Sequence, residues 1–575
     1  MSWFTGIVLK KEIPFETICK PLLGKGEVLF QDKKVILFAG SISEKNLFLG
    51  NSSFQLAWVV SGIGVKTMND GITFLNNRDW LSLVSEQKVP VDGHYAMVII
   101  EKGRILLKTD SLGLRDISLI ELQDMIIFST KLEHIALFHN LNLNFALLGS
   151  LWYAPNRVSN LSLYEDVVRL VCGKSAVIDL PEIHVTFQDN NWIPVFNERK
   201  EAETEFAERL TRLMNIKNRE VLLGFSGGMD SRLLLSFLLS GNKTNWSAHS
   251  SGSGDIDSTL PAQIAKKLNF PHKLIDSDFG FESGDIDKME RFSFLTSVNH
   301  PISSFFNLKI TRLLEQENKV LIDGGFGEIW RREYFNRILW KGRDGLLSCN
   351  SEAISASIIH NRGEIFNDYY SKLFRRNLIS EISELLVRLP KPNTIGLENW
   401  VDLFAIKTRL VNYYSPEQSR LDETVINFMP FAQFSLMKKL FEIPLPLRKN
   451  AKLFRKIISQ NAPNLTKFPL VKNGHTYPFK TSTLFARLLT RLLKNKNSSV
   501  SSPVFFPALK EYILDIMMSA EVKNDTLYDY NKLTLFIKKT YENKDTLACQ
   551  SLEWWLSFHM NRIYIQKLTK SRGQI

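Results

Sequence analysis

The stretch VLLGFSGGMDSRLLLSFLLS, residues 221–240, constrains the fold of this chain more than any other. Residues 221–225 are apolar and form a run short enough for a buried strand, and residues 233–239 are apolar enough for a helix packed on a sheet. Between them, residues 226–231 form a glycine-containing turn. The pattern therefore predicts a strand, a tight loop and a helix whose free N–H groups and positive dipole end face the loop.

Five residues of this loop carry groups that suit a phosphate ligand. Gly227 and Gly228 are expected to adopt positive φ angles and to let the backbone approach a ligand closely. Ser226 and Ser231 add hydroxyl donors, and Asp230 adds a carboxylate that can bind Mg²⁺ beside phosphate oxygens. The spacing matches neither a Walker loop nor a Rossmann glycine motif. The alternative interpretation is structural, with Asp230 or Ser231 acting as the N-cap of a buried helix.

The string SGGMDS resembles the signature of the N-type ATP pyrophosphatases, which split ATP into AMP and pyrophosphate while adenylating a substrate oxygen. The resemblance implies that ATP and Mg²⁺ are the cofactors. It places ATP or pyrophosphate at Ser226, Gly227, Gly228, Asp230 and Ser231, and it makes Asp230 a metal ligand.

Composition and charge narrow the class of protein. A length of 575 residues predicts two to four domains, and 23% charged residues is typical of a globular chain. No apolar run is long enough for a membrane span and the start lacks a signal-peptide pattern, so we expect a cytoplasmic protein. Four dispersed cysteines predict reduced thiols. The net charge of +12 would suit polyanions, but no RNA-binding module accompanies it, so no nucleic-acid partner is expected.

Residues 1–195 are predicted to form short strands in a layered, mainly antiparallel sheet. Three segments resemble class II glutamine amidotransferase domains: VDGHYA at 91–96, TDSLGLR at 109–115 and FSTK at 128–131. The family's nucleophilic cysteine falls on Ser2, whose hydroxyl is a weaker nucleophile than a thiol. No segment resembles the family's NGEIYN motif. The resemblance therefore implies a glutaminase-like β-rich sandwich over 1–195 that no longer hydrolyses glutamine.

Residues 200–575 are predicted to alternate strands and helices. A candidate strand at 246–249 is followed by a helix at 258–268, which indicates a parallel, doubly wound sheet with ligands at the carboxyl ends of its strands. From residue 395 onward the pattern is helical. By resemblance to asparagine synthetases, this part is an adenine-nucleotide α-hydrolase-like synthetase domain with ATP pyrophosphatase chemistry, in which Ser247 lines the adenosine pocket.

A second motif, KVLIDGGFGEIWRREY at 319–334, resembles the family's VLSGEGADELFGGY, which lies beside the triphosphate. Glu328 is retained in this alignment and is a candidate catalytic residue, whereas the family's metal-binding aspartate falls on Gly327 and the acid used in asparagine synthesis falls on Gly324. Asp323 is the expected replacement as a second Mg²⁺ ligand, and Glu328 or a water molecule is the alternative. The glycines expected to contact ATP here are Gly324 and Gly325.

Basic residues provide the predicted counter-charges for phosphate. Arg331 and Arg332 either neutralise the leaving pyrophosphate or lie in solvent. The segment PLVKNGHTYP at 469–478 resembles the family's R-x-K-x-G-F-x-x-P. By that resemblance Lys472 is a catalytic cation on a mobile glycine loop, placed to reach the α-phosphate and a developing oxyanion.

Together these motifs cover nearly the whole chain in the order found in the asparagine synthetase superfamily. They are closest in character to its glutaminase-deficient branch, the β-lactam synthetases and the macrolactam synthetases of lasso-peptide pathways. The implied enzyme is an AMP-forming carbon–nitrogen ligase: ATP adenylates a carboxylate, and a substrate amine attacks the acyl-adenylate. A precursor peptide is one substrate that supplies both groups, and a pathway protease or leader-binding protein is an implied partner.

The predicted fold class is α/β and α+β, with a β-rich sandwich followed by a parallel-sheet domain and a helical C-terminal part. Two other functions stay open on the sequence. One is an asparagine synthetase that uses ammonia or glutamine. The other is a catalytically silent binding protein, which the missing family acids would explain.

Overall fold

The computed structural model describes residues 2–572, apart from 41–46, 53–55, 87, 89, 102, 190–191, 242–243, 278, 283, 361, 423, 483–484, 487, 490–504 and 544–545. The described residues form two antiparallel sheets, one parallel sheet, a small hairpin and many helices. This arrangement confirms the predicted mixed fold class.

Two antiparallel sheets make up the first half of the chain. Their strands are β1 Trp3–Leu9, β2 Glu27–Gln31, β3 Val35–Gly40, β4 Leu47–Ser52, β5 Leu56–Thr67, β6 Ile72–Phe74, β7 Asp92–Glu101, β8 Arg104–Thr109, β9 Ile117–Glu121, β10 Met125–Ser129, β11 Val167–Leu170, β12 Ser175–Asp179 and β13 His184–Gln188. One sheet has the order β11-β9-β10-β1-β3-β2, and the other has β13-β12-β8-β7-β5-β4 with β6 beside β5. Alternate apolar residues from both sheets, such as Leu37, Val59 and Val98, share one buried cluster. The two sheets are therefore the layers of a sandwich.

The second half is built on a five-stranded parallel sheet. Its strands are β14 Val221–Gly224, β15 Trp246–Ser251, β16 His272–Ile275, β17 Val320–Ile322 and β18 Ile426–Phe428. The order is β16-β15-β14-β17-β18, and every neighbouring pair is parallel. The strand order changes direction at β14, so the carboxyl ends of β14 and β17 lie side by side. In open α/β sheets this crevice is where ligands bind.

Helices cover the parallel sheet and form most of the C-terminal part. They are α1 Phe15–Ile18, α2 Asn77–Ser85, α3 Leu132–Ala136, α4 Leu148–Tyr153, α5 Ala202–Met214, α6 Met229–Ser240, α7 Ile256–Leu268, α8 Asp285–Leu295, α9 Phe305–Glu315, α10 Gly327–Trp330, α11 Asn336–Lys341, α12 Arg343–Leu347, α13 Ser351–Ile358, α14 Asp368–Arg388, α15 Pro392–Ile395, α16 Leu397–Ala405, α17 Ser415–Leu421, α18 Phe434–Met437, α19 Leu445–Arg448, α20 Lys452–Asn461, α21 Phe505–Ala508, α22 Lys510–Met518, α23 Ala520–Lys523, α24 Tyr530–Asn543 and α25 Thr546–Arg572. A π-helix, Ile406–Tyr414, connects α16 to α17. None of the described helices has both the length and the apolar composition that crossing a bilayer requires.

A two-stranded hairpin follows the helices that pack beside the parallel sheet. Its strands are β19 Leu470–Lys472 and β20 His475–Tyr477. The segment predicted to be a mobile glycine loop thus forms a two-stranded hairpin, and its mobility stays a prediction. Its turn is Asn473-Gly474, with φ angles of 51° and 74°. Both angles are positive, as a tight two-residue hairpin turn of this kind requires, and Asn-Gly is the sequence that favours it.

The two halves of the chain make buried polar contacts with each other. Asp92 at the start of β7 accepts hydrogen bonds from the backbone N–H and the hydroxyl of Ser435, the former at 2.6 Å. The Arg115 guanidinium forms a buried ion pair with Asp422, which also contacts His94 Nε2 at 3.2 Å. The last strand of the first half is β13, and the first helix of the second half is α5. The domain boundary between residues 195 and 200 stays a prediction.

Candidate functional site

The loop 226–231 lies at the carboxyl end of β14, and α6 begins within it at Met229. The hydroxyl groups of its two serines are hydrogen-bonded to each other, with Ser226 Oγ and Ser231 Oγ 3.1 Å apart. The Ser226 N–H donates to Ser231 Oγ, and Ser231 Oγ donates to the Ser226 carbonyl, both at 3.2 Å. The Gly228 N–H donates to Ser226 Oγ at 3.2 Å. These bonds fix the loop in a compact turn at the positive end of the α6 dipole.

The two glycines of the loop do not have the positive φ angles that the sequence led us to expect. Gly228 has φ −75°, and Gly227 is likewise outside the positive range. The need for glycine at 227 comes from packing: a Cβ there would lie 2.3 Å from Val471 Cγ2 on β19. The Val471 N–H also donates to the Gly227 carbonyl at 2.9 Å. Glycine is therefore required because the hairpin rests directly on the loop.

Glycines of the second motif let α10 approach the loop equally closely. A Cβ at Gly327 would lie 2.5 Å from Asp230 Cγ, and one at Gly324 would lie 3.0 Å from Asp230 Cβ. The structure thus brings Gly324 to the loop, and Gly325 follows it in the same turn. Position 327 therefore has no room for a side chain against Asp230.

A chain of four alternating charges crosses this site from the loop to the hairpin. Arg331 donates to both carboxylate oxygens of Asp230, at 2.6 Å from Nε and 2.8 Å from Nη2. Its Nη1 lies 2.5 Å from Glu333 Oε1, and Lys472 Nζ lies 2.7 Å from Glu333 Oε2. The four side chains are only 11–19% exposed. The site therefore holds two cations, each paired with a carboxylate, beside the phosphate-type loop.

The carboxyl groups of the charge chain differ in their pKa shifts. Burial raises the pKa of Glu333, but the charges of Arg331 and Lys472 oppose burial and lower that pKa to about 2. Burial raises the pKa of Asp230, and Arg331 limits the rise. Glu328 also raises the pKa of Asp230 through its charge, so the two carboxylates are close enough to interact. Sequence reasoning left the role of Arg331 open and did not identify Glu333.

Glu328 is held by residues that no local sequence pattern singled out. Arg409 Nε donates to Glu328 Oε1 at 2.8 Å, and the Tyr414 hydroxyl donates to the same oxygen at 2.9 Å. The Arg409 guanidinium stacks on the rings of Tyr334 and Tyr413, 4.2 and 4.4 Å from their centroids. Arg409, Tyr413 and Tyr414 lie in the π-helix, a distortion that is frequent at functional sites. The π-helix thus places Arg409 and Tyr414 in contact with Glu328 on α10.

The residues present do not form the expected Mg²⁺ site. Both oxygens of Asp230 accept hydrogen bonds from Arg331, so they are engaged by a cationic side chain in this structure. Asp323 Oδ1 accepts a hydrogen bond from the Gly325 N–H at 2.6 Å within its own turn. Among the described residues no group of three acidic, histidine or cysteine side chains is placed to hold a metal ion. Mg²⁺ prefers a near-octahedral set of oxygens, and the predicted pair of Asp230 and Asp323 does not supply one.

Ser247 is not brought to the loop. It is the second residue of β15 and pairs with Leu222, whereas β15 ends at Ser251. At about 3.3 Å per residue it lies about 13 Å from the carboxyl end of its strand. Its hydroxyl accepts a hydrogen bond from Lys319 Nζ at 3.1 Å, on the amino-terminal side of the sheet. The expectation that Ser247 lines an adenosine pocket with the loop thus has no geometric support.

Ser2, the residue that the sequence resemblance aligned with a nucleophile, is fully buried. Its Oγ lies 3.0 Å from Ser61 Oγ, and Ser61 donates to the Ser2 carbonyl at 2.7 Å. Arg115 Nη1 donates to Ser61 Oγ at 3.3 Å, and the same guanidinium pairs with Asp422 of the second half. The serine is thus enclosed in the polar contact between the two halves.

Comparisons with known proteins give weak likenesses of fold. No protein-family model matches the chain, and no curated protein matches it. The U34-tRNA thiolase of Methanococcus maripaludis with its 4Fe-4S cluster is 12% identical, with a TM-score of 0.20, over 39% of this chain and 88% of that one. The glutamine phosphoribosylpyrophosphate amidotransferase of B. subtilis complexed with ADP and GMP is 11% identical, with a TM-score of 0.17, over 57% and 71%. The NH3-dependent NAD synthetase of Campylobacter jejuni is 16% identical, with a TM-score of 0.18, over 36% and 95%. At these TM-scores the likeness identifies neither a family nor an activity for this chain.

Proposed function

We propose that the protein is an ATP-dependent ligase that forms an amide bond through an acyl-adenylate. The observation that carries the proposal is the convergence of the loop 226–231, the helix α6 and the two cations Arg331 and Lys472 at the carboxyl edge of a parallel sheet. Loop N–H groups and a helix N-terminus bind phosphate, and paired cations suit a leaving pyrophosphate.

The cations act in this proposal by exchanging partners. Before the nucleotide binds, Arg331 and Lys472 are neutralised by Asp230 and Glu333. Phosphate oxygens compete for the same N–H donors, so the nucleotide draws the guanidinium and the ammonium onto the triphosphate. ATP is the proposed nucleotide, and the described side chains alone do not supply the ligands of a Mg²⁺ ion.

The bonds change in two steps. A substrate carboxylate oxygen attacks the α-phosphorus, the bond from that phosphorus to the bridging oxygen breaks, and pyrophosphate leaves toward Arg331 and Lys472. A substrate amine then attacks the acyl carbon, AMP leaves, and an amide remains. The amine must lose a proton, and the Glu328 carboxylate, held by Arg409 and Tyr414, is the proposed acceptor.

The amine is proposed to belong to the substrate itself. The buried hydrogen bonds of Ser2 leave its hydroxyl engaged, which argues against glutamine hydrolysis as a source of ammonia. A molecule that carries both a carboxylate and an amine would be closed into a ring. A precursor peptide forming a macrolactam is the proposed substrate, and a peptide-processing protease is a proposed partner.

The test is ATP–pyrophosphate exchange with candidate carboxylates, made on the wild type and on Lys472→Ala. Losing one preorganised cation is expected to slow adenylation about 10²–10³-fold in single-turnover measurements, with a smaller change in ATP affinity. Lys456→Ala is the matched control, because Lys456 also forms an ion pair, with Glu203 at 2.6 Å, but lies on the surface of α20. That variant is expected to react as the wild type does.

Three results would count against the proposal. Absence of ATP binding would leave a catalytically silent binding protein as the better description. Asparagine formation from free aspartate and ammonia would favour an ammonia-dependent asparagine synthetase. Equal rates for Lys472→Ala and Lys456→Ala would remove Lys472 from the reaction.

A further inference from the structure

A cavity of about 580 Å³ opens directly beside the charge chain. Its volume is within the range of about 300–1,000 Å³ that is usual for ligand sites. Glu333 lines the cavity and also pairs with Arg331 and Lys472. Glu333 therefore connects the cavity, through Arg331, to Asp230 on the loop.

The interior of the cavity is mainly apolar. Phe335 and Ile358 line it and are buried, with 8% and 2% of their surfaces exposed. Trp340 lies at the opening and is 59% exposed. An apolar pocket that ends in an accessible tryptophan suits a large hydrophobic or aromatic side chain.

The rim of the cavity is basic. Arg337 and Lys341 line it and are exposed to solvent. The negative charge of Glu333 is already balanced by its two cationic partners. The local charge is thus positive, and it complements an anionic ligand such as a carboxylate.

The wall of the cavity is held in an unusual backbone conformation. Arg332 and Phe335 have positive φ angles of 54° and 51°, although neither is glycine. Between them, the Tyr334 hydroxyl donates to Asn156 Oδ1 at 2.8 Å and accepts from Arg409 Nη1 at 3.1 Å. Such conformations persist only where surrounding contacts hold them, and they are frequent at ligand sites. The cavity is therefore preformed.

We propose that this cavity is the subsite for the acyl substrate, and that it takes a large apolar or aromatic group adjoining the reacting carboxylate. This inference rests on the proposed function and names the substrate class for the same site. Free aspartate, with a single methylene group, has nothing to fill the apolar interior. A capped peptide in which an acidic residue is flanked by aromatic residues has both the reacting carboxylate and a large aromatic group to fill the cavity.

The test uses two capped tripeptides, acetyl-Phe-Asp-Phe-amide and acetyl-Ser-Asp-Ser-amide, with binding measured by calorimetry on the full chain. The aromatic peptide is expected to bind the wild type at least about tenfold more tightly, because it buries at least one phenyl ring. Ile358→Trp fills the cavity and is expected to abolish the difference while leaving ATP affinity unchanged. Tyr369→Ala, which removes a 69% exposed aromatic side chain on α14, is the matched control and is expected to keep the difference.

Equal affinity for the two peptides in the wild type would overturn the inference, and so would undetectable binding of both. A preference that survives Ile358→Trp would also overturn it, since the ring would then bind elsewhere. Trp340→Ala is the second variant if Ile358→Trp fails to fold. It is expected to weaken the binding of the aromatic peptide and to leave the binding of the serine peptide unchanged. ATP binding is measured in the same samples. Peptide discrimination without ATP binding would contradict the proposed function while sustaining the subsite.

Discussion

Arg331 lies between two carboxylates: its Nε donates to Asp230 at 2.6 Å, and its Nη1 forms an ion pair with Glu333 at 2.5 Å. Asp230 is 18% exposed, so its charge depends on a partner inside the protein. The sequence motif led us to expect a metal ion beside Asp230. This chain instead has a glycine at 327 and a guanidinium against Asp230.

We predict that Arg331→Met destabilises the protein by about 3–5 kcal/mol, because it leaves the largely buried Asp230 carboxylate without its counter-charge. Mg²⁺ should raise the thermal unfolding midpoint of this variant, since the freed carboxylate oxygens become available as ligands. The wild type should show no comparable rise, and the double variant Asp230→Asn/Arg331→Met should also show none. A midpoint for the wild type that rises with Mg²⁺ as much as that of Arg331→Met would contradict the assignment of Arg331 as the resident cation.

The hairpin β19–β20 positions Lys472 through contacts of its backbone as much as of its side chains. Val471 donates to Gly227, and Arg232 on α6 donates to the Phe468 carbonyl just before β19 at 3.0 Å. The Asn473-Gly474 turn places Lys472 at the last position of its strand. The hairpin therefore covers the loop, and the ion pair between Lys472 and Glu333 holds the hairpin against the site.

Gly227→Ala is expected to displace this hairpin, because its new Cβ would lie 2.3 Å from Val471 Cγ2. Overpacking of this kind costs about 1–3 kcal/mol, and adenylation should fall with it as Lys472 moves. Adding Val471→Gly removes the clash and should recover part of both losses. Gly280→Ala is the control, because nothing lies within 4 Å of the Cβ added there. Urea titration and exchange rates of the four proteins provide the measurement; an unaltered Gly227→Ala enzyme would show that the close packing is not needed.

The two halves of the molecule are joined by buried charged groups as well as by apolar packing. Arg115 of the first half pairs with Asp422 of the second, and Glu381 on α14 accepts a hydrogen bond from the Ser159 N–H at 3.2 Å. Glu381 is 6% exposed, and burial raises its pKa to about 7. Stability at this junction therefore depends on pH.

The raised pKa of Glu381 predicts a loss of stability as pH rises. The folded protein keeps this proton up to about pH 7, whereas the unfolded chain releases it near its ordinary value of 4.5. The favourable contribution is complete below pH 4.5 and is lost as pH rises through 7, by about 3 kcal/mol. Glu381→Gln should flatten this part of the stability profile in urea titrations, and Glu384→Gln, an exposed position on the same helix, should not. A profile for Glu381→Gln that falls as steeply as that of the wild type would contradict the prediction.

Local sequence patterns predicted those features that depend only on neighbouring residues. An apolar run, the SGGMDS turn and a second apolar run predicted β14, the loop and α6, because hydrophobic period and turn chemistry are local properties. The alternation of strands and helices predicted the parallel sheet in the same way. Strand alternation in the first half predicted the antiparallel layers, which the sandwich of two sheets confirms.

The pairing of charges in the site, in contrast, depends on contacts between distant segments. Arg331 and Asp230 are 101 residues apart in the chain, and Lys472 and Glu333 are 139 apart, so no local pattern reports either pair. The fold also decided that Gly227 serves the contact with Val471 rather than a positive φ, and that Ser247 lies toward the amino end of its strand. A motif specifies which groups are available. Whether a carboxylate meets a metal ion or an arginine depends on the side chains that distant segments bring to it, and burial makes that pairing obligatory.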